Sequence, residues 1–79
     1  MINQAIIDRI TEVLRDTFDD DELSYADGLT AADVEGWDSL SNIRFMVAIE
    51  QEFSLKLTIA EWQSLTRLGD LAQLVASRQ

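Results

Sequence analysis

Cysteine and histidine are both absent from this 79-residue sequence. Their absence excludes a disulfide framework, a Cys/His zinc cluster, a thiol nucleophile and an imidazole base. A chain this short buries only about 60–65% of the surface it exposes when unfolded, so apolar packing alone has to hold the fold. Proline is also missing and glycine occurs only three times, a composition that leaves helices uninterrupted. Basic residues are scarce: six Lys and Arg against fifteen Asp and Glu give a formal charge of −9. Such a surface repels nucleic-acid phosphates and anionic lipids and favours basic protein partners. Nowhere do 18 apolar residues run together, and the opening MINQAIIDRI has neither the basic start nor the apolar stretch of a signal peptide. The expectation is a soluble, cytoplasmic, monomeric single domain spanning residues 1–79, with no nucleic-acid or membrane partner.

What is present is a 47% hydrophobic content set out in helical periods. Ile2, Ile6, Ile10, Val13 and Phe18, with Ile7 and Leu14 beside them, predict a helix from about Asn3 to Thr17 or Phe18. Asp19, Asp20, Asp21 and Glu22 end it, since negative charge at a helix C-terminus opposes the macrodipole. A calcium loop does not fit this run: with Asp19 and Asp21 as the first two ligands, Leu23 falls on the third ligand position and Ser24 where the glycine belongs. No metal site is expected. From Asp19 to Asp38 only Leu23, Tyr25, Leu29 and Val34 stand as apolar anchors. Asp27-Gly28 marks a turn, and Thr30 with Asp33 is placed to cap one helical turn.

A second long helix is predicted from Asp38 or Ser39 to about Phe53, ended by Ser54. Its apolar residues cover an arc of about 220°, wider than the stripe one core requires. Phe45, Met46, Ile49 and Phe53 make one side and Leu40, Ile43 and Val47 the other, with Glu50 between. Either both sides are core or one faces a partner. Thr58 and Glu61 read as a capping box opening a short helix to about Ser64, with Ile59, Trp62 and Leu65 as its apolar residues. Thr66 is placed to cap a last helix carrying Leu68, Leu71, Leu74 and Val75. The fold class is all-α: a small four-helix bundle of three main helices and one short one, with a long loop between the first and second.

At the centre lies GWDSLS, Gly36–Ser41. Asp38 and Ser39 in front of an apolar helical run are what an N-cap looks like, and capping accounts for them without chemistry. A catalytic serine needs a base, but there is no histidine and the only lysine, Lys56, follows this helix. The glycines are too few for a phosphate-binding loop. There remains a serine that another enzyme modifies: a hydroxyl at a helix N-terminus is exposed, and the free N–H groups there favour an attached phosphate.

Gly36-Trp37-Asp38-Ser39-Leu40, with the downstream Ala48-Ile49-Glu50-Gln51-Glu52-Phe53, resembles the acyl carrier proteins. Helix order and spacing match that family over nearly the whole chain. The resemblance implies a carrier, not an enzyme, with 4′-phosphopantetheine covalently attached to Ser39. It also implies that Asp38 is the acidic neighbour contacted by the phosphopantetheinyl transferase, often through a metal ion. Acyl groups would be held as thioesters on the arm and presented to acyl- or amino-acyl-loading and acyl-processing enzymes. Phe45, Met46, Ile49, Leu57 and Trp62 are the expected lining of an acyl-sheltering cavity, with core packing the simpler explanation for each.

In fatty-acid carriers the exposed face after the serine is strongly acidic. Here it reads Ser41, Arg44, Ala48, Gln51 and Glu52, one positive and one negative charge. Trp37 also replaces a small residue and is similar to carriers of specialised pathways, so a polyketide or polyketide-peptide pathway is the expectation. Fatty acid synthesis, a peptidyl carrier, and a D-alanyl carrier suggested by Trp62 stay open. Leu40, Ile43, Val47 and Arg44, with Asp33 and Glu35 in the approach, are the expected partner-binding residues. A helical adaptor with no prosthetic group, docking through Leu40, Ile43 and Val47, is the alternative of another class.

Overall fold

The computed structural model describes residues 3–78, so Ile2, the first residue of the apolar stripe, lies outside them. Helix α1 spans Gln4–Phe18. It begins where the Asn3 side chain accepts the Ile6 N–H at 2.9 Å, a side-chain cap on an otherwise orphaned donor. Asp19 closes it in the left-handed conformation, φ 49°, and the N–H groups of Asp19 and Asp20 both donate to the Arg15 carbonyl. Short polar side chains tolerate that conformation, so the acidic run ends the helix by geometry as well as by charge.

The long loop is tied down at several points. Arg15 Nε donates to the Leu23 carbonyl at 2.6 Å. Leu23, Tyr25 and Leu29 pack against the core and Val34 is buried. The anticipated helical turn is a single 3₁₀ turn, Ala31–Asp33, in which the Asp33 carboxylate accepts the Thr30 N–H at 3.0 Å. The Leu29 and Asp27 carbonyls accept the N–H groups of Leu68 and Gly69, each at 2.9 Å. A Cβ on Gly69 would lie 2.9 Å from the Asp27 carbonyl oxygen, so this close approach requires glycine. Tyr25 donates its hydroxyl to the Asp27 carboxylate at 2.5 Å. Burial and that bond push the phenol well above its ordinary value.

Helix α2 spans Ser39–Phe53 and ends at Ser54, again left-handed at φ 52°. The Glu50 carboxylate, between the two apolar sides of α2, accepts the Leu57 N–H at 2.8 Å and so fixes the segment that follows. Helix α3 is short, Ile59–Gln63, with the capping box in place: Thr58 Oγ1 accepts the Glu61 N–H and Glu61 the Thr58 N–H, both at 3.0 Å. Helix α4 spans Leu68–Arg78. Thr66 does not cap it as expected. The first N–H groups of α4 are already taken by loop carbonyls, and Thr66 instead donates its N–H and hydroxyl to Asp70, at 3.3 and 3.1 Å.

Helix α1 packs on α2 and α4. The core is built from Ile6, Ile10, Val13 and Leu14 of α1, Phe45, Met46, Ile49 and Phe53 of α2, and Leu68, Leu71 and Val75 of α4. Leu57 and Trp62 close its side. Leu65 and Leu74 are only half-buried, and Ile59, at the first position of α3, is 54% exposed. Among the described residues there is no strand, and no helix is long and apolar enough to cross a membrane.

Candidate functional site

The turn into α2 is fixed from several directions. Gly36 has φ +86°, a conformation that other residues reach only with strain, and the Trp37 N–H donates to the Val34 carbonyl at 3.3 Å. The Trp37 ring packs between Phe18, tilted at a centroid distance of 4.9 Å, and Phe45, edge-on at 5.4 Å. Its indole N–H donates to Asn42 Oδ1 at 3.1 Å. Asp38 then caps α2 by accepting the Ser41 N–H at 2.8 Å. That bond to the ionised form holds the Asp38 carboxyl below the usual carboxylate range.

Two serines follow, and the structure separates them. Ser41 donates its hydroxyl to the Gly36 carbonyl at 3.1 Å. Ser39, the first residue of α2, is exposed, and its hydroxyl has no hydrogen-bond partner among the described residues. The cap role therefore belongs to Asp38, and Ser39 is left with a free hydroxyl beside the positive end of the helix. The residues fit an attached phosphodiester: the hydroxyl is accessible, unengaged and held at a rigid terminus. No carboxylate lies in the first turn of α2 to oppose a further negative charge, although Asp38 precedes it. Among the described residues no group of acidic side chains is placed to hold a metal ion.

The possibility that both sides of α2 are core is not met. Leu40 is 69% exposed, Ile43 44% and Val47 40%, whereas Phe45, Met46, Ile49 and Phe53 are buried. Arg44 lies exposed among them. Glu52, expected to balance Arg44, instead receives Arg9 Nε at 2.8 Å while Arg9 stacks over the Phe53 ring. Asp33 is engaged in the Thr30 capping box, and Glu35 is exposed.

A hollow of about 290 Å³ opens between α2, α3 and the start of α4, walled by Trp37, Asn42, Phe45, Trp62, Leu65 and Leu71 among others. It contains two of the five residues expected to line a cavity, Phe45 and Trp62. Met46 and Ile49 serve the side of α2 that α1 fills, and Leu57, in the segment after α2, packs into the same core. Sequence reasoning singled out Trp37 only as part of the motif and did not place it, or Asn42, in this wall. The available signal was the spacing of Asn42 three residues from Ser39, which makes them neighbours on a helix surface.

The phosphopantetheine attachment site family matches residues 4–75 of the chain. The solution structure of a holo acyl carrier protein from Geobacter metallireducens aligns with a TM-score of 0.87 at 35% identity, covering 94% of this chain and 85% of that one. No curated protein sequence matches.

Proposed function

We propose, from the premise that the chain belongs to the phosphopantetheine-attachment family of acyl carrier proteins, that Ser39 is the residue bearing the arm and that residues 1–79 form one carrier domain. A protein of this family is a carrier and not a catalyst, its covalent cofactor is 4′-phosphopantetheine, and it works with a phosphopantetheinyl transferase and biosynthetic enzymes. When bound, that group supplies a flexible arm ending in a thiol on which acyl groups travel as thioesters.

The observation that carries the reading is the exposed, unpartnered Ser39 hydroxyl at the N-terminus of α2. On transfer from coenzyme A, Ser39 Oγ would form the new bond to the phosphorus that bears pantetheine and give up its proton, while the pyrophosphate P–O bond breaks and adenosine 3′,5′-bisphosphate leaves. The acceptor base comes from the transferase, since the chain has no histidine and its one lysine, Lys56, lies beyond the far end of α2. Asp38, held ionised by the Ser41 N–H, sits beside that hydroxyl as a carboxylate for the transferase to contact.

Leu40, Ile43 and Val47 supply the apolar part of the docking surface, Arg44 a basic contribution, and Asp33 and Glu35 an acidic approach. With Glu52 drawn off to Arg9, the outer side of α2 is apolar and basic, unlike the acidic face of fatty-acid carriers. This supports a specialised polyketide or polyketide-peptide pathway. Intact mass after co-expression with a broad-specificity phosphopantetheinyl transferase is the test. One added phosphopantetheinyl mass is expected. An unmodified chain, beside a control carrier that is modified, refutes the carrier reading and leaves the helical adaptor.

A further inference from the structure

The first turn of a helix is its least secured part, because four backbone N–H groups there have no intrahelical partner. Ser39 is the first residue of α2, so the turn that carries it depends on bonds made from outside the helix. Asp38 supplies one by accepting the Ser41 N–H at 2.8 Å, and the Ser41 hydroxyl supplies a second through the Gly36 carbonyl. A third bond has no part in capping. Trp37, two residues before Ser39, donates its indole N–H at 3.1 Å to Oδ1 of Asn42, three residues after it.

This bond spans the attachment residue without touching it. The Asn42 backbone N–H also donates to the Asp38 carbonyl, at 2.9 Å, so Asn42 holds both residues that precede Ser39. The tryptophan end of the clasp is anchored in turn. Its ring lies 4.9 Å from that of Phe18, the last residue of α1, and 5.4 Å from that of Phe45, which is buried on α2. Trp37 and Asn42 are both half-buried, where a hydrogen bond is stronger than in open water. Packing asks only for an apolar ring at position 37. The indole N–H and the Asn42 amide add a directional link that fixes the turn against its own helix.

On the premise that Ser39 is the attachment residue, we infer that Trp37 and Asn42 are positioning residues for the transfer reaction: their bond closes the turn around Ser39 and presents its hydroxyl to the transferase in one geometry. Neither residue touches a reacting atom. Without the bond the turn opens part of the time, and only the closed fraction is competent, which weakens apparent binding by the inverse of that fraction. A chain bound in the closed form reacts as before, so the loss falls on KM for the carrier and spares kcat.

The test measures kcat and KM of the unmodified carrier with a broad-specificity transferase and saturating coenzyme A, loading being read by intact mass. Wild type, Asn42→Ala, Trp37→Phe and the double variant are compared at a temperature where circular dichroism shows each to be folded. Asn42→Ala should raise KM about three- to fivefold, the effect of one net hydrogen bond, and leave kcat unchanged. It should also move the Trp37 indole N–H signal in the NMR spectrum. Trp37→Phe should raise KM similarly, and the double variant no further than either single one, since both break the same bond. An indole signal that does not move in Asn42→Ala, or a moved signal with wild-type KM, overturns the inference. So does a double variant whose KM rises by the product of the two single effects. If Trp37→Phe does not fold, Asn42→Ala decides alone. If the wild-type chain is never modified, the attachment reading itself fails, and the inference with it.

Discussion

The two sides of α2 are made of similar residues and have opposite fates. Phe45, Met46, Ile49 and Phe53 are at most 8% exposed, whereas Leu40, Ile43 and Val47 are at least 40% exposed. Composition does not separate them; what separates them is the neighbour. The stripe of α1, Ile6, Ile10, Val13 and Leu14, fills one side, and no described element covers the other. A contiguous exposed apolar patch on a small monomer is a common mark of recognition. The buried side holds the helix still, and the exposed side is free to meet a partner next to Ser39.

The sharpest way to break this contrast is to exchange losses. Phe53→Ala removes a ring that is 4% exposed and sits under Arg9. It should cost about 3–5 kcal/mol, enough to abolish cooperative thermal unfolding in a domain of this size. An unchanged melting temperature would move Phe53 out of the core. On the other side, Val47→Asp should change stability by no more than about 0.5 kcal/mol. It should nevertheless weaken productive transfer by a cognate enzyme by about 1.5–3 kcal/mol in kcat/KM, the worth of one buried aliphatic contact. Wild-type transfer by Val47→Asp would show that this stripe is not the docking surface.

Two smaller effects sharpen the picture. Arg44→Ala removes an exposed charge at the edge of that stripe, and should change kcat/KM by less than about 1 kcal/mol. A larger loss would make charge the main contributor to docking. The smallest effect is at the cap that starts both sides. The folded-state pKa of Asp38 lies below its ordinary value because it accepts the Ser41 N–H. Its contribution to stability is therefore complete above the unfolded pKa and is lost as pH falls through the folded one, that is, below about pH 4. Asp38→Asn keeps a capping oxygen and should reduce the acid-side fall in melting temperature. Asp70, also lowered, by Arg67 and the Thr66 N–H, accounts for part of what remains.

Much of the fold is legible because local chemistry and tertiary packing agree. The Asn3, Asp38 and Thr58 caps, the left-handed ends at Asp19 and Ser54, and the Thr30–Asp33 turn fall where short-range rules put them. The family is legible from the motif and the helix that follows. Thr66 was misread because its cap role depends on donors that the Leu29 and Asp27 carbonyls had already taken, a contact across some 40 residues. The pairing of Glu52 with Arg9 rather than against Arg44 is likewise non-local, as is the aromatic cluster joining Trp37, Phe45 and Trp62. Periodicity shows which residues share a face of one helix; it does not show which other helix reaches that face.

The most direct test of the account concerns Ser39 and Ser41, two serines separated by Leu40, one with a free hydroxyl and one bonded to the Gly36 carbonyl. Ser39→Ala and Ser41→Ala are each co-expressed with the transferase and weighed intact, with helical content checked by circular dichroism. Ser39→Ala should remain folded and unmodified, and Ser41→Ala should gain one phosphopantetheinyl mass. A folded Ser39→Ala chain that still gains that mass would contradict the assignment.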